Sequence, residues 1–226
     1  MKRLSLALAA LLAVGAAHAS PVTFSFGQPL VLATTEINQS GMLGLFDTSL
    51  GTLTGASLTL FGGASFSFSG TNNAAQSQEA EIISRTRLNF NSSLASLQTL
   101  FTSTGPITLL ESSGNLSYAS GQTRSFGPAL RNDSQVFNVL SIAALQAAGG
   151  GMFSLGCVSV SGLIVDGGGG NISTSQSTRA GCGASITYTF TATPPPPPGV
   201  PEPATLALVG LALAGASIAT RRRRQG

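Results

Sequence analysis

The strongest constraint on the fold of this chain is a repeated alternation of apolar and hydroxyl side chains. At residues 185–190, Ile186, Tyr188 and Phe190 point one way, while the serine and threonine side chains between them point the other. A period of two is typical of a strand that buries one face and exposes the other. The pattern therefore predicts a half-buried β-strand over residues 185–190.

Other segments repeat this pattern and are separated by clusters of Gly, Asn and Ser. Residues at the same spacing are Ile82, Ser84, Thr86, Leu88 and Phe90, Leu58 and Leu60, Phe66 and Phe68, and Val158 and Val160. Residues 22–26 fit the first strand. Many short strands separated by turn residues predict an all-β fold, an antiparallel, jelly-roll-like β-sandwich over residues 20–192.

One segment predicts a short helix instead. Ser141 offers an N-cap, residues 142–148 are mostly good helix formers, and the glycines that begin at Gly149 end the helix. We expect about two turns lying across an end or edge of the sandwich. Residues 91–101 fit either a helical turn or a loop packed on the sheets.

The amino terminus predicts export. Lys2 and Arg3 form a basic start, residues 4–14 are apolar, and Ala17-His18-Ala19 has the small-x-small pattern of a cleavage site. These parts describe a secretory signal peptide over residues 1–19, which the export translocon engages and signal peptidase cuts between Ala19 and Ser20.

The carboxyl-terminal segment, residues 200–226, predicts a membrane helix. Its parts are the motif Val200, Pro201, Glu202 and Pro203, an apolar run at 204–220, and the cluster Arg221, Arg222, Arg223 and Arg224. A helix over the apolar run is about 25 Å long, so it only marginally spans a hydrocarbon core of about 30 Å. The arginines favour the cytoplasm and keep the body outside. An ordinary single-pass anchor is the alternative.

The three parts together resemble the PEP-CTERM sorting signal. In that family an exosortase, a membrane-embedded cysteine protease, recognises the Pro-Glu-Pro motif and releases the tail. The resemblance implies that the membrane anchors the protein only transiently, before it reaches the cell surface or extracellular matrix. Residues 193–199 are the linker before the signal, because their consecutive prolines favour extended polyproline II.

Charge restricts the function classes once both targeting segments are removed. Residues 20–199 contain five arginines and seven acids, a net charge of −2, so no basic patch for nucleic acid remains. The single histidine, His18, and the single lysine, Lys2, lie in the signal peptide. The body therefore has no imidazole base and no histidine ligand for zinc. Carboxylate chemistry and calcium binding stay open, but neither has a motif, so we expect no catalytic residue, metal or cofactor.

The chain has two cysteines, Cys157 and Cys182. An even number in an exported protein favours a disulfide, because the bacterial periplasm is oxidising. The alternative, a redox pair of free thiols, lacks the usual Cys-x-x-Cys spacing. We expect one structural disulfide that closes a loop containing residues 167–170.

The body resembles the exported domains called choice-of-anchor E. The resemblance rests on residues 46–54 (FDTSLGTLT), 56–60 (ASLTL), 101–110 and 184–190 (ASITYTF). Those domains precede different surface-anchoring tails, which agrees with the tail of this chain. The resemblance implies a β-rich surface domain and carries over no catalytic residue.

Three functions fit the sequence. The first is a non-enzymatic surface or matrix protein, structural or adhesive within exopolysaccharide. The second is a carbohydrate-binding module, which needs exposed aromatic side chains. The third is a carboxylate-dependent glycosidase or lyase, which needs two acids about 5 to 10 Å apart in a cleft.

We predict that the exported protein starts at Ser20 and lacks the arginine cluster at its other end. Intact-mass measurement of surface material, from cells with and without the exosortase, checks both ends. Without the exosortase, the mass should include residues 221–224. If these residues remain in surface material from cells that have the exosortase, the tail is not removed.

Overall fold

The computed structural model describes residues 21–193 and Leu211. Several predicted features lie outside the described residues: the signal peptide with its Ala19–Ser20 cleavage site, the proline run, the motif at 200–203 and the cluster at 221–224. Of the predicted membrane segment only Leu211 is described, and it is helical. Within the described part of the chain, no helix combines the length and apolarity needed to cross a bilayer.

Twelve strands and one α-helix organise residues 21–193. The strands are β1 Val22–Phe26, β2 Ala33–Thr34, β3 Asn38–Gly44, β4 Phe46–Asp47, β5 Gly51–Asn72, β6 Gln78–Ser92, β7 Ile107–Ser112, β8 Leu116–Tyr118, β9 Thr123–Asn138, β10 Gln146–Ala147, β11 Met152–Gly167 and β12 Ile172–Ala192. The helix α1 is Ala95–Thr104, and 3-10 turns occur at Thr48–Leu50, Ile142–Leu145 and Gly168–Gly170. The all-β prediction is confirmed.

The strands form two five-stranded sheets and one small pair. Sheet A has the order β1-β12-β5-β9, with β2 added to β12, and sheet B has the order β3-β11-β6-β7, with β8 added to β6. Within both sheets every pairing is antiparallel, whereas β4 and β10 form a short parallel pair. If the short strands β2, β4, β8 and β10 are set aside, the other eight alternate between the sheets along the chain, except that β6 and β7 both lie in sheet B. This connectivity is that of an eight-stranded jelly roll.

The two sheets pack face to face at close range. A side chain at Gly62 in β5 would overlap Leu88 in β6, so glycine is what allows the approach. The core between the sheets is continuous and includes fully buried Leu58, Phe66 and Ile186. Alternate residues of the long strands enter this core, as the period of two predicts.

The predicted faces of β6 and β12 are confirmed. All five inward residues of β6, from Ile82 to Phe90, are buried, and so are Ile186 and Tyr188. The predicted strand pair Val158 and Val160 lies in β11. Val158 and Val160 face outward, while Phe153, Leu155, Cys157 and Ser159 face the core.

The predicted helix at 142–148 is wrong in type and extent. Only Ile142–Leu145 forms a 3-10 turn, and Ser141 makes no side-chain cap bond. Gln146 and Ala147 instead pair with β4 as strand β10. Tertiary strand pairing therefore overrides the local helix preference, which is only a weak determinant.

The ambiguous segment at 91–101 contains the start of helix α1. Leu97 and Phe101, four residues apart, are the buried residues of the helix, and the Phe101 ring lies 6.3 Å from that of Phe90. Leu97 and Phe101 belong to the core, and the contact between Phe101 and Phe90 joins the helix to β6. Gly105 ends the helix, with its N–H bonded to the Phe101 carbonyl.

Two buried tyrosines differ in their hydrogen bonding. The Tyr188 hydroxyl donates to the Gly44 carbonyl at 2.8 Å, and this bond joins β12 to β3 across the core. The Tyr118 hydroxyl is also buried but has no partner among the described residues. Burial raises the pKa of Tyr188 well above its ordinary value. The folded state therefore favours the neutral form of the Tyr188 hydroxyl.

We predict that Tyr188→Phe lowers the free energy of unfolding by about 1–2 kcal/mol, because the Gly44 carbonyl loses a buried donor. Tyr118→Phe is the matched control and should change stability little. The wild type should also lose stability as the pH rises above about 10, where Tyr188 ionises in the unfolded chain but not in the folded one. Denaturant titrations of the three proteins between neutral pH and pH ~11 measure both effects. Equal losses in the two variants would contradict the role of this bond.

Candidate binding surface

The outer side of sheet A carries most of the outward hydroxyl groups of the domain, and we call it the hydroxyl face. Its serines and threonines are Thr23, Ser25, Ser57, Thr59, Ser65, Ser67, Ser69, Thr71, Thr123, Ser125, Ser134, Ser173, Ser175, Ser177, Ser185, Thr187 and Thr189. Their placement follows from sequence, because every second residue of a strand lies on the same side. Pairing between strands then aligns them into rows.

The rows cross three strands near one end of the face. Ser69 in β5 is the register partner of Ser125 in β9 and of Ser175 in β12. In the next row Thr71 and Thr123 bond to each other through their hydroxyls at 2.8 Å. Adjacent strands lie about 4.8 Å apart, so neighbouring hydroxyls in a row are within reach of one ligand.

A shallow hollow of about 320 Å³ lies on these rows, and we call it the serine hollow. Its lining includes Ser67, Ser69, Ser125, Ser175 and Ser177. None of these five hydroxyls bonds to another described residue, so each is free to donate and accept.

A β-bulge shapes the serine hollow. The register between β5 and β9 shifts between Phe66 and Phe68, opposite Gly127. Gly127 has φ +85°, and a side chain there would overlap the Phe66 carbonyl. Glycine is therefore required at this position, and the extra length on β9 bends the strand beside the hollow.

The arginines of sheet A are engaged in intramolecular contacts. Arg124 lies over the Tyr118 ring at 5.6 Å, Arg131 pairs with Glu111 in β7, and Arg179 donates to the Leu32 carbonyl at 2.7 Å. The serine hollow itself contains no charged side chain. The surface therefore offers neutral hydrogen bonds rather than an electrostatic attraction.

Aromatic side chains lie inside the domain. Every phenylalanine and tyrosine falls within residues 21–193, and each is buried or half-buried. Phe61 is the one that faces outward from sheet A, half-buried beside Leu30 in a second hollow of about 330 Å³. The described surface therefore has no row of exposed rings on which sugars could stack.

Two acids are neighbours, but not in a cleft. Glu81 in β6 and Asp166 in β11 are register partners on the outer face of sheet B. Glu81 also accepts a hydrogen bond from the Ser112 hydroxyl. Asp47 has a local structural role, since hydrogen bonds from the Ser49 N–H hold the pKa of its carboxyl below the ordinary value. Among the described residues, no group of three potential metal ligands comes together.

The predicted disulfide is present. Cys157 in β11 and Cys182 in β12 are bonded, with their Cα atoms 6.6 Å apart. Both are buried, so the bond links sheet B to sheet A through the core. The Cys182 N–H also donates to the Gln39 side chain at 2.9 Å, which adds β3 to this junction.

The sequence shows the serines of the hollow in a regular pattern, but this pattern alone does not predict the hollow. Serine occupies every second position at 65–69 and at 173–177. That pattern predicts two hydroxyl-bearing strands but not that they are adjacent, because pairing of β5 with β12 joins residues far apart in the chain.

Comparison with known proteins identifies the tail and little else. The family model described as the PEP-CTERM protein-sorting motif matches residues 199–224. The chain therefore carries this sorting signal where the sequence pattern predicted it. No curated protein matches the chain.

Similarity to solved structures is weak. A chain in the structure of infectious bursal disease virus Gx strain is 11% identical with a TM-score of 0.16, and the match covers 78% of this chain and 38% of the viral one. A chain of the T13 IBDV viral particle is 12% identical with a TM-score of 0.15, and the match covers 78% of this chain and 41% of the viral one. A chain in the structure of the Gt strain is 11% identical with a TM-score of 0.12, and the match covers 88% of this chain and 49% of the viral one. This chain thus spans less than half of each viral chain, and such low scores support no conclusion about fold or function.

We predict that replacing both cysteines, as Cys157→Ala with Cys182→Ala, lowers the free energy of unfolding by about 3 kcal/mol, because the unfolded chain loses a cross-link over 25 residues. Denaturant unfolding without reductant measures the loss. Reductant should destabilise the wild type by a similar amount and leave the double variant unchanged. Equal stability of the wild type and the variant without reductant is the contradicting result.

Proposed function

We propose that this protein is an exosortase substrate whose body becomes a non-enzymatic structural or adhesive component of an exopolysaccharide matrix. The PEP-CTERM motif at 199–224 supports export with transient anchoring in the membrane. The proposed final location is the cell surface or extracellular matrix. Within the body, the hydroxyl face is the surface that contacts polysaccharide.

The observation that carries this proposal is the separation of side-chain types between the two sides of sheet A. Apolar and aromatic side chains fill the core, and the outer side presents rows of neutral hydroxyls. A polysaccharide also presents closely spaced neutral hydroxyls along an extended chain. The two surfaces can therefore exchange hydrogen bonds without the cost of desolvating a charge.

Such contacts are weak individually and add up over many sites. One hydrogen bond between neutral groups contributes about 0.5–1.5 kcal/mol net, since water competes for both partners. A long polymer passes several rows, and many protein copies can bind one polymer. Multivalency then gives retention in a matrix without a tight site for a single sugar.

The two alternative functions receive less support. A carbohydrate-binding module that stacks sugars on rings requires exposed aromatic side chains, and Phe61 is half-buried. A carboxylate glycosidase requires an acid on each side of the scissile bond within a cleft. Glu81 and Asp166 are instead adjacent on an open sheet face.

We predict that the triple variant Ser69→Ala, Ser125→Ala and Ser175→Ala binds matrix polysaccharide roughly tenfold more weakly, because one row of hydroxyls is lost. The experiment uses the exported, processed protein and co-sedimentation with exopolysaccharide from the same cells. Binding by the wild type should be nearly independent of salt, since the serine hollow is uncharged.

The matched control removes three hydroxyls from sheet B, as Ser40→Ala, Thr108→Ala and Ser154→Ala. None of these hydroxyls bonds to another described residue, so folding should be equally unaffected. Equal binding by both triple variants and the wild type would exclude the hydroxyl face as the contact surface. Loss of binding at moderate salt would point to a charged contact instead.

A further inference from the structure

Among the described residues, strands β11 and β12 each leave part of one edge without a partner strand. Strand β3 covers β11 only at Met152–Val158, although β11 continues to Gly167. On β12, β2 covers Arg179 and Ala180 and β1 covers residues 184–188, although the strand starts at Ile172. We call residues 160–166 and 173–177 together the open edge.

The last bonds along this side mark where the open edge begins. The Ser159 N–H donates to the Ile37 carbonyl, and the Thr35 N–H donates to the Thr178 carbonyl, both at 3.1 Å. Backbone groups of alternate residues point to the same side of a strand. On β11 these are Ser161, Leu163 and Val165, and no described residue makes a backbone bond to that side of them.

The opposite edge of the sandwich, formed by β9 and β7, carries the usual protection against strand addition. Strand β9 contains a bulge and Pro128, and its Arg131 pairs with Glu111 of β7. Bulges, prolines and charges prevent another strand from pairing with an edge. That side is therefore closed.

The open edge has none of this protection. It contains no proline, lysine or arginine, and its only charge is Asp166. Val160, Ile164 and Val165 are 52%, 41% and 38% exposed, which places three of the exposed large apolar side chains on one short segment. An unpaired edge with exposed apolar side chains and a single charge is the kind that accepts another strand.

We propose that the open edge binds the open edge of a second copy of this chain, so that each sheet continues into the corresponding sheet of its partner. The two β11 strands pair antiparallel about Leu163, and the two β12 strands meet beside them. The result is a symmetric dimer with continuous sheets.

The geometry of one molecule permits both pairings at once. Leu163 is the register partner of Ser84 in β6, and the Ser84 hydroxyl lies 3.5 Å from the Gln176 side-chain oxygen across the sandwich. Leu163 and Gln176 are therefore at the same level of the two stacked sheets. One two-fold axis perpendicular to the sheets can pass through both segments.

The free segment of β11 is also complementary to itself. Residues 160–166 are centred on Leu163, so the pairing sets Val160 opposite Asp166 of the partner subunit and never sets the two acids against each other. A lone added strand would satisfy only one sheet. A second copy presents two strands at the spacing of stacked sheets, about 10 Å, and satisfies both.

The dimer extends the hydroxyl face. Ser175 and Ser177 of the serine hollow lie on the open edge of β12, so pairing brings two hollows into one continuous sheet. The longer hydroxyl face matters only for the proposed polysaccharide contact. Formation of the dimer depends on the open edge alone.

The test compares two variants that place opposite charges at Val160. The full chain is purified in detergent, and light scattering measures its mass. The wild type should be dimeric. Val160→Glu faces Asp166 of the partner subunit twice by symmetry, whereas Val160→Lys faces it with the opposite charge. We expect dimerisation of Val160→Glu to be at least about tenfold weaker than that of Val160→Lys.

Two further variants complete the experiment. Val165→Pro removes an edge N–H that has no partner among the described residues and should give monomers, since proline is tolerated at an unpaired strand edge. Val136→Glu lies on β9 at the opposite edge, is 65% exposed in the wild type, and should remain dimeric. A monomeric wild type, equal effects of the two Val160 variants, or a loss of dimer in Val136→Glu would each overturn the proposal.

Discussion

The pairing of β12 with β5 is the constraint on which the rest of the structure depends. The two strands remain in contact from Ile172 and Asn72 to Ala192 and Gly51, with one register shift near Thr189. A slip of one residue would turn every core side chain of a strand toward solvent. The same slip would remove Cys182 from the core, where it meets Cys157. Hydrophobic burial and the disulfide therefore specify the same register.

That register also explains why the surface is so uniform. With apolar residues fixed inside, the intervening serines and threonines must all face outward together, and neighbouring strands align them into rows. Few charges are available to break the rows, and the described residues contain one ion pair, Arg131–Glu111. Stability therefore comes from burial and backbone pairing, which salt screens little.

Strand content and the faces of β6 and β12 followed from sequence because their alternation is unambiguous. The spacing of Val158 and Val160 predicted a strand but not which face is buried, because β11 has apolar residues on both sides. Residues 142–148 misled because contact with β4 decides their structure. The serine hollow and the open edge depend on which strands are neighbours, and a local pattern contains no such information. The disulfide was predictable because the cysteine count and the export signal act together.

Export and the open edge fit together physically. An unpaired strand edge promotes association at any time, and this is a hazard for a protein that has not reached its destination. Transient anchoring confines the chains to one membrane, where their effective concentration rises and a weak edge-to-edge contact becomes favourable. In the proposed scheme, dimerisation at that point would join two hydroxyl faces before release into the proposed matrix. In this proposed scheme, the tail concentrates the copies at the membrane, the open edge pairs them, and the paired hydroxyl faces bind the polymer.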